Sequence, residues 1–259
     1  LGAPAETAIC EFGPGQFEIN LGHTADALAG ADHMIWLKRA IRGTARAQKL
    51  DATFMAKPFG AASGSGQHIH VSLMDDDAHN ALAGVPGQGV SPRLGQAVAG
   101  LVTTMAEATA VFAPHANSYR RFVAGSYAPT SAAWGLDNRS TAVRVPATHG
   151  PGARIEHRVA GADANPYLLA AAVIAAMLEG IEATRTPPPP TIAGAPASDD
   201  QPLPLNWERA IAAFTESAFI GTWLGQEMQR VFAGIKRQEH ATLLAQVPDT
   251  EYNAYLRVV

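Results

Sequence analysis

Two glutamates, Glu11 and Glu18, stand on either side of Gly13-Pro14-Gly15. A Gly-Pro-Gly turn reverses the chain, so the two carboxylates are either a facing pair of hard oxygen donors for Mg2+ or Mn2+, or solvated groups on the arms of a hairpin. Further along, Gln67-His68-Ile69-His70-Val71-Ser72-Leu73 alternates. It places His68, His70 and Ser72 on one face of a strand and Gln67, Ile69, Val71 and Leu73 on the other. Two imidazoles on one strand face either chelate or are ordinary polar residues of an open sheet. The preceding Gly64-Ser65-Gly66 favours a site, because glycines let backbone N–H groups approach an anion closely. Six arginines, Arg120, Arg121, Arg139, Arg144, Arg154 and Arg158, then fall in sequence that is otherwise apolar or small. Glu156 alternates with Arg154 and Arg158 on one strand face. A guanidinium is costly to bury unless an anion neutralises it, so the cluster calls for a protein carboxylate or an anionic substrate. Carboxylates for a metal, arginines for phosphates and a glycine-rich turn together point to metal-dependent phosphoryl chemistry on a nucleotide. The sequence has no Gly-x-x-x-x-Gly-Lys-[Ser/Thr] loop and no Gly-x-Gly-x-x-Gly between a strand and a helix, so the common nucleotide cradles are absent.

Such residues need a rigid scaffold. The chain has 259 residues, 47% of them hydrophobic, enough for a sizeable core. Its 19 basic and 23 acidic side chains give a net charge of −4 without a block of like charges, which argues against nucleic-acid or membrane-surface partners. The longest apolar run, around Leu168 to Leu178, is shorter than the roughly 20 residues a bilayer span needs, so a soluble protein without a membrane anchor is expected. The single cysteine, Cys10, precludes an internal disulfide and fits a reducing, cytoplasmic compartment. Segment 7–12 reads as a strand, 25–50 as an amphipathic helix, and Asp75-Asp76-Asp77 as a solvated turn. A helix is expected over 91–112, opened by Ser91-Pro92. Strands are expected over 140–145 and 153–159, and a buried Ala-rich helix over 164–183, entered through Asn165-Pro166. Residues 185–204, with Pro187-Pro188-Pro189-Pro190, read as an extended surface loop; two or three helices follow, near 207–217, 222–236 and 238–245. Scattered strands, long helices and long loops indicate an α+β domain rather than a regular βαβ alternation.

Several motifs, in order, resemble the catalytic segments of the glutamine synthetase family. Lys57-Pro58-Phe59 with Gly64 to Leu73 resembles its ATP-binding signature. Asn117-Ser118-Tyr119-Arg120-Arg121, Trp134 to Ser140 with Arg144-Val145-Pro146, and Arg154 to Arg158 through Ala164-Asn165-Pro166-Tyr167 resemble segments further along it. The likeness runs from about Glu11 to Tyr255-Leu256. It implies the glutamine synthetase/guanido kinase-like fold, a curved antiparallel sheet flanked by helices, here as a type I-like C-terminal catalytic domain over 1–259 without the N-terminal β-grasp domain. It also implies roles. Glu11, Glu18, His68 and Glu156 match metal ligands for Mg2+ or Mn2+; Gly64, Arg121 and Arg158 match positions around the substrate glutamate; His70, Ser72, Arg139 and Arg144 match positions that meet ATP, Arg139 also serving catalysis at the γ-glutamyl phosphate. In the family's reaction the γ-carboxylate of glutamate takes the terminal phosphate of ATP, and an amine then displaces phosphate. The family's active sites lie between subunits of ring-shaped homo-oligomers.

This chain departs from the family pattern in three ways. Where the family has Gly-x-Glu-Ala-Pro, whose glutamate collects ammonium, it reads Gly125-Ser126-Tyr127-Ala128-Pro129. A tyrosine, with an ordinary pKa of about 10, carries no negative charge at neutral pH. Ser63 also replaces the family's usual Asn. Both changes point away from ammonium and toward a larger amine, as in the γ-glutamylpolyamine ligases, with Tyr127 lining the amine's entrance. The alternatives are an ordinary ammonium-using glutamine synthetase and, from another class, a non-catalytic structural or regulatory relative. The third departure is the absence of the family's N-terminal domain from these residues, which leads to the expectation that the fragment alone has no turnover.

Overall fold

In the computed structural model, residues 2–123, 125–192 and 201–259 are described. The core is built on two helices. In α2 (Pro92–Phe112), Ser91 accepts from the Leu94 N–H and Pro92 occupies the first turn, where its missing N–H costs nothing. In α3 (Pro166–Glu182), Asn165 caps in the same way, accepting from the Tyr167 and Leu168 N–H groups. Their buried faces supply Leu94, Val98, Leu101, Met105, Leu169, Val173 and Met177. The two helices cross at Gly100 and Gly180, where a Cβ on either would collide with the backbone of the other helix. Glycine is the residue that permits an approach this close. Thr104 and Thr109 are buried but donate to the carbonyls one turn back, so α2 carries no orphaned hydroxyl there.

A four-stranded sheet lies on this core in the order β3 (Ile69–Val71), β6 (Arg154–His157), β5 (Val143–Ala147), β4 (Trp134–Leu136). The β3–β6 and β5–β6 pairs are antiparallel, as expected, whereas β4 and β5 run parallel. Register decides function here. His70 and Arg144 both pair with Glu156 across neighbouring strands, so the three project on one face, while Ile69, Val143 and His157 share the core face. A separate antiparallel hairpin joins β1 (Ala5–Cys10) and β2 (Phe17–Leu21).

Helix α1 (Ala27–Ala47) is capped by Asp26. Helix α4 (Trp207–Glu216) is followed by a short α5 (Ala218–Ile220), a π turn (Gly221–Gly225), α6 (Gln226–Leu244) and α7 (Asp249–Tyr255). Several expectations need correcting. The strands are shorter than the alternation suggests, and Arg158 falls just beyond β6. Strand β4 and helix α7 had no sequence signal. Of the two or three helices expected after residue 207, the segments near 222–236 and 238–245 are joined in α6, because Lys236 is buried over the Trp207 and Phe232 rings and pairs with Glu239 at 2.8 Å, which carries the helix through the charged stretch. The Pro-rich segment is docked as well as extended. The Trp134 indole donates to the Pro188 carbonyl at 2.7 Å, and the Thr191 N–H donates to the Trp134 carbonyl at 2.8 Å, so the segment runs along β4. Its residues 193–200 lie outside the described residues.

Candidate active site

On the open face of the sheet, Glu156 is the point of convergence. Its side chain is 3% exposed, and His68 Nδ1 lies 3.3 Å from Oε1. Arg158 reaches the same oxygen, and Arg144 donates to Oε2 at 2.7 Å. Burial alone would raise this carboxyl; the His68 hydrogen bond and the Arg158 and Arg144 guanidinium groups outweigh it and hold it well below the ordinary carboxylate range. Even with Asp137 also paired to Arg144, the arginines Arg144, Arg154 and Arg158 outnumber the two carboxylates, which leaves the face short of negative charge. That is the electrostatic condition for binding anions. At the sheet edge Arg154 donates to His70 Nδ1 at 3.2 Å, and burial, reinforced by the neighbouring arginines, keeps His70 below its ordinary value. Ser72 follows one residue past β3, half-buried on the same alternation.

Arg121, in a 3-10 turn (Ala116–Arg121), is buried and donates to the Val159 carbonyl at 2.9 Å. Burial lowers it to about 10, still charged at neutral pH. Its stem passes so close to Gly64 that a Cβ there would stand 2.7 Å from Arg121 Cγ and 2.9 Å from the Ala56 carbonyl oxygen. The glycine turn therefore seats this arginine, while the Ser65 and Gln67 N–H groups beside it donate to the Ala56 and Ala160 carbonyls. The β1–β2 hairpin docks on the same spot. Gln16 donates to the Gly64 carbonyl at 3.0 Å and to Ser65 Oγ at 3.1 Å. Glu18 pairs with Ile9 and the Glu11 N–H donates to the Gln16 carbonyl, so alternation puts both glutamates on the Gln16 face of the hairpin, toward the turn. The oxygen and imidazole donors suit a hard divalent cation. The structure brings His68 and Glu156 together and puts Glu11 and Glu18 on one neighbouring surface; among the described residues no three His, Cys, Asp or Glu side chains form a single cluster able to hold an ion.

Arg139 stands exposed in the turn between β4 and β5. That turn is stiffened by Asn138, whose Oδ1 accepts from the Ser140 N–H at 2.9 Å and the Ser140 hydroxyl at 2.7 Å. Tyr127 is 65% exposed on the loop after Arg121. Three participants escaped the sequence reading. Asp137, at φ +46°, accepts from Arg144 Nε at 2.9 Å and from an Nη of the same guanidinium. Lys38 reaches in from α1 to Gln67 Oε1 at 3.0 Å and the Ala162 carbonyl at 2.7 Å, and burial lowers it to about 8. Asp163 gathers His115 Nδ1 at 2.9 Å and the Ser118 hydroxyl at 2.6 Å. The signal for Lys38 and Asp163 was a charge in an apolar neighbourhood; for Asp137 it lay only in tertiary geometry.

The family model described as "Glutamine synthetase, catalytic domain" matches residues 1–255. Gamma-glutamylputrescine synthetase PuuA of Escherichia coli (strain K12) is 39% identical over 98% of this chain and 54% of its own length. Glutamate–isopropylamine ligase of a Pseudomonas species is 35% identical over 100% of this chain and 57% of its own length. The chain thus spans somewhat more than half of the curated relatives it matches. A solved structure described as apo GmaS without ligand superposes with a TM-score of 0.88 at 33% identity, covering 99% of this chain and 60% of that one. A family model that matches residues 1–255 and a superposition over 99% of the chain agree: the chain belongs to the glutamine synthetase family and carries its catalytic domain fold.

Proposed function

We propose that the protein containing this chain joins an amine to the γ-carboxylate of glutamate, using ATP and Mg2+ or Mn2+, through a γ-glutamyl phosphate. The observation that carries the reading is the convergence of His68, Arg144 and Arg158 on buried Glu156, on a face seated beside the Gly64–Arg121 contact. In the first step a γ-carboxylate oxygen of glutamate attacks the terminal phosphorus of ATP and ADP leaves. In the second the amine nitrogen attacks the acyl carbon, phosphate leaves, and the nitrogen loses a proton. Two anions meet in the first step, so cationic groups fixed in advance lower its barrier. Arg121 and Arg158, with the backbone at Gly64, hold the glutamate. His70, Ser72, Arg139 and Arg144 hold ATP, and Arg139 also acts at the transferring phosphoryl group. Glu11, Glu18, His68 and Glu156 would hold the metal, which supplies charge neutralisation on the phosphate oxygens.

For the acceptor, a larger amine is favoured over ammonium. Tyr127 occupies the position where the resemblance calls for an ammonium-collecting glutamate, and two similar proteins are named for putrescine and isopropylamine. An amine panel with the full-length protein, reading ADP release at fixed glutamate and ATP, tests this. The expected result is turnover with alkylamines or diamines at kcat/KM at least about tenfold above that with ammonium, the scale on which a binding pocket separates substrates by one or two methylene contacts. Efficient use of ammonium with alkylamines inert overturns it.

A further inference from the structure

Phe12 and Tyr127 are 75% and 65% exposed, yet their rings stack with centroids 5.4 Å apart and planes 30° from parallel. They come from distant parts of the sequence, and both supporting loops are tied to one place. Phe12 sits on the hairpin turn that Gln16 anchors to Gly64 and Ser65. Tyr127 sits on a loop whose Ser126 hydroxyl donates to the Arg121 carbonyl at 3.1 Å. Gly64 and Arg121 are themselves in contact, with His68 Nε2 and an Arg121 Nη flanking the adjacent Gly66. The aromatic pair therefore bridges two loops that are both anchored at the Gly64–Arg121 contact.

Resting on the amine-ligase reading, we infer that the Phe12–Tyr127 pair is the subsite for the carbon chain of the acceptor amine: the reacting nitrogen points inward and the methylenes lie along the ring faces. Exposed aromatic area in contact with a substrate's methylenes gains affinity with each carbon removed from water. A second ammonium at the far end, as in a short diamine, is attracted to the negative face of a ring. Neither interaction is available to ammonium itself. The pair thus selects by chain length, and the stack holds both rings in place before the amine arrives, so little side-chain entropy is lost on binding.

The test uses the full-length protein with ATP, glutamate and Mn2+, a series from methylamine to butylamine, and the diamine putrescine. In the wild type kcat/KM rises about twofold per added methylene, half the roughly fourfold expected for complete burial, and putrescine exceeds butylamine. Phe12→Ala and Tyr127→Ala each flatten the series, Tyr127→Phe keeps it, and the double alanine variant is no flatter than the worse single one. KM for glutamate, measured alongside, shows whether the site stays assembled. Variants that keep the wild-type slope, or that slow every amine equally, overturn the inference while leaving the ligase reading in place. A wild type that uses ammonium and ignores alkylamines overturns both.

Discussion

Asp137 holds an uncommon backbone conformation and spends its carboxylate on one guanidinium, that of Arg144, which also reaches Glu156. Arg144 is thereby stretched between two anions, and its planar fork has a fixed direction. A residue with φ above zero is most often Gly, Asn or Asp, so Asp137→Asn keeps the backbone and removes only the charge. Asp137 is 72% exposed, which limits what the ion pair itself contributes to stability. The expected outcome is therefore kinetic. KM for ATP rises about three- to tenfold, the scale of one partly screened charged hydrogen bond, while KM for glutamate and the unfolding midpoint stay within error. Steady-state kinetics with each substrate varied in turn, alongside a denaturation curve, checks it; equal changes in both KM values would reduce Asp137 to a structural part of the turn.

At the scale of the element, β6 carries the site on one face and the core on the other. Glu156 faces the cations, and its neighbour His157 lies fully buried against the Phe112 ring, centroids 4.3 Å apart, with neither ring nitrogen hydrogen-bonded. Burial lowers His157 from 6.5 to about 3. The unfolded chain therefore takes up a proton below pH 6.5 that the folded chain refuses until about pH 3, so the stability present above pH 6.5 is lost as pH falls through that window. The slope expected from this one group is about 1.4 kcal/mol per pH unit. His157→Phe fits the same apolar setting and removes most of the slope between pH 6.5 and 5; His70, also lowered by burial, leaves a smaller part. Urea denaturation at pH 7, 6 and 5 measures it, and an unchanged slope in the variant would locate the acid sensitivity elsewhere. Element by element, the amphipathic and capped helices were legible because period and cap chemistry are local: Ser91-Pro92 and Asn165-Pro166 open α2 and α3 where the sequence places them. Strand β4 is only Trp134–Leu136, and its partner β5 and the docked Pro segment are what make it a strand, so no local pattern announces it. The candidate site residues stand out in the sequence as types and spacings. That Glu156 has His68, Arg144 and Arg158 around it depends on the β3–β6–β5 register, which no single segment encodes.

Taken whole, the molecule is a helical core under a sheet whose open face gathers cations around Glu156, next to a hairpin that presents Glu11 and Glu18. Among the described residues no helix is long and apolar enough to cross a membrane. The net charge of −4 conceals this separation of a cationic face from an acidic hairpin, since composition averages over position. In the proposed reaction glutamate is activated by phosphoryl transfer before the amine attacks. Carrying out the amine-dependent reaction with glutamate labelled with 18O in its γ-carboxylate, and analysing the released phosphate by mass spectrometry, tests it most directly. One 18O is expected in the inorganic phosphate for each γ-glutamylamide formed, because the carboxylate oxygen that attacks phosphorus leaves with it. Amide formation with unlabelled phosphate would contradict it.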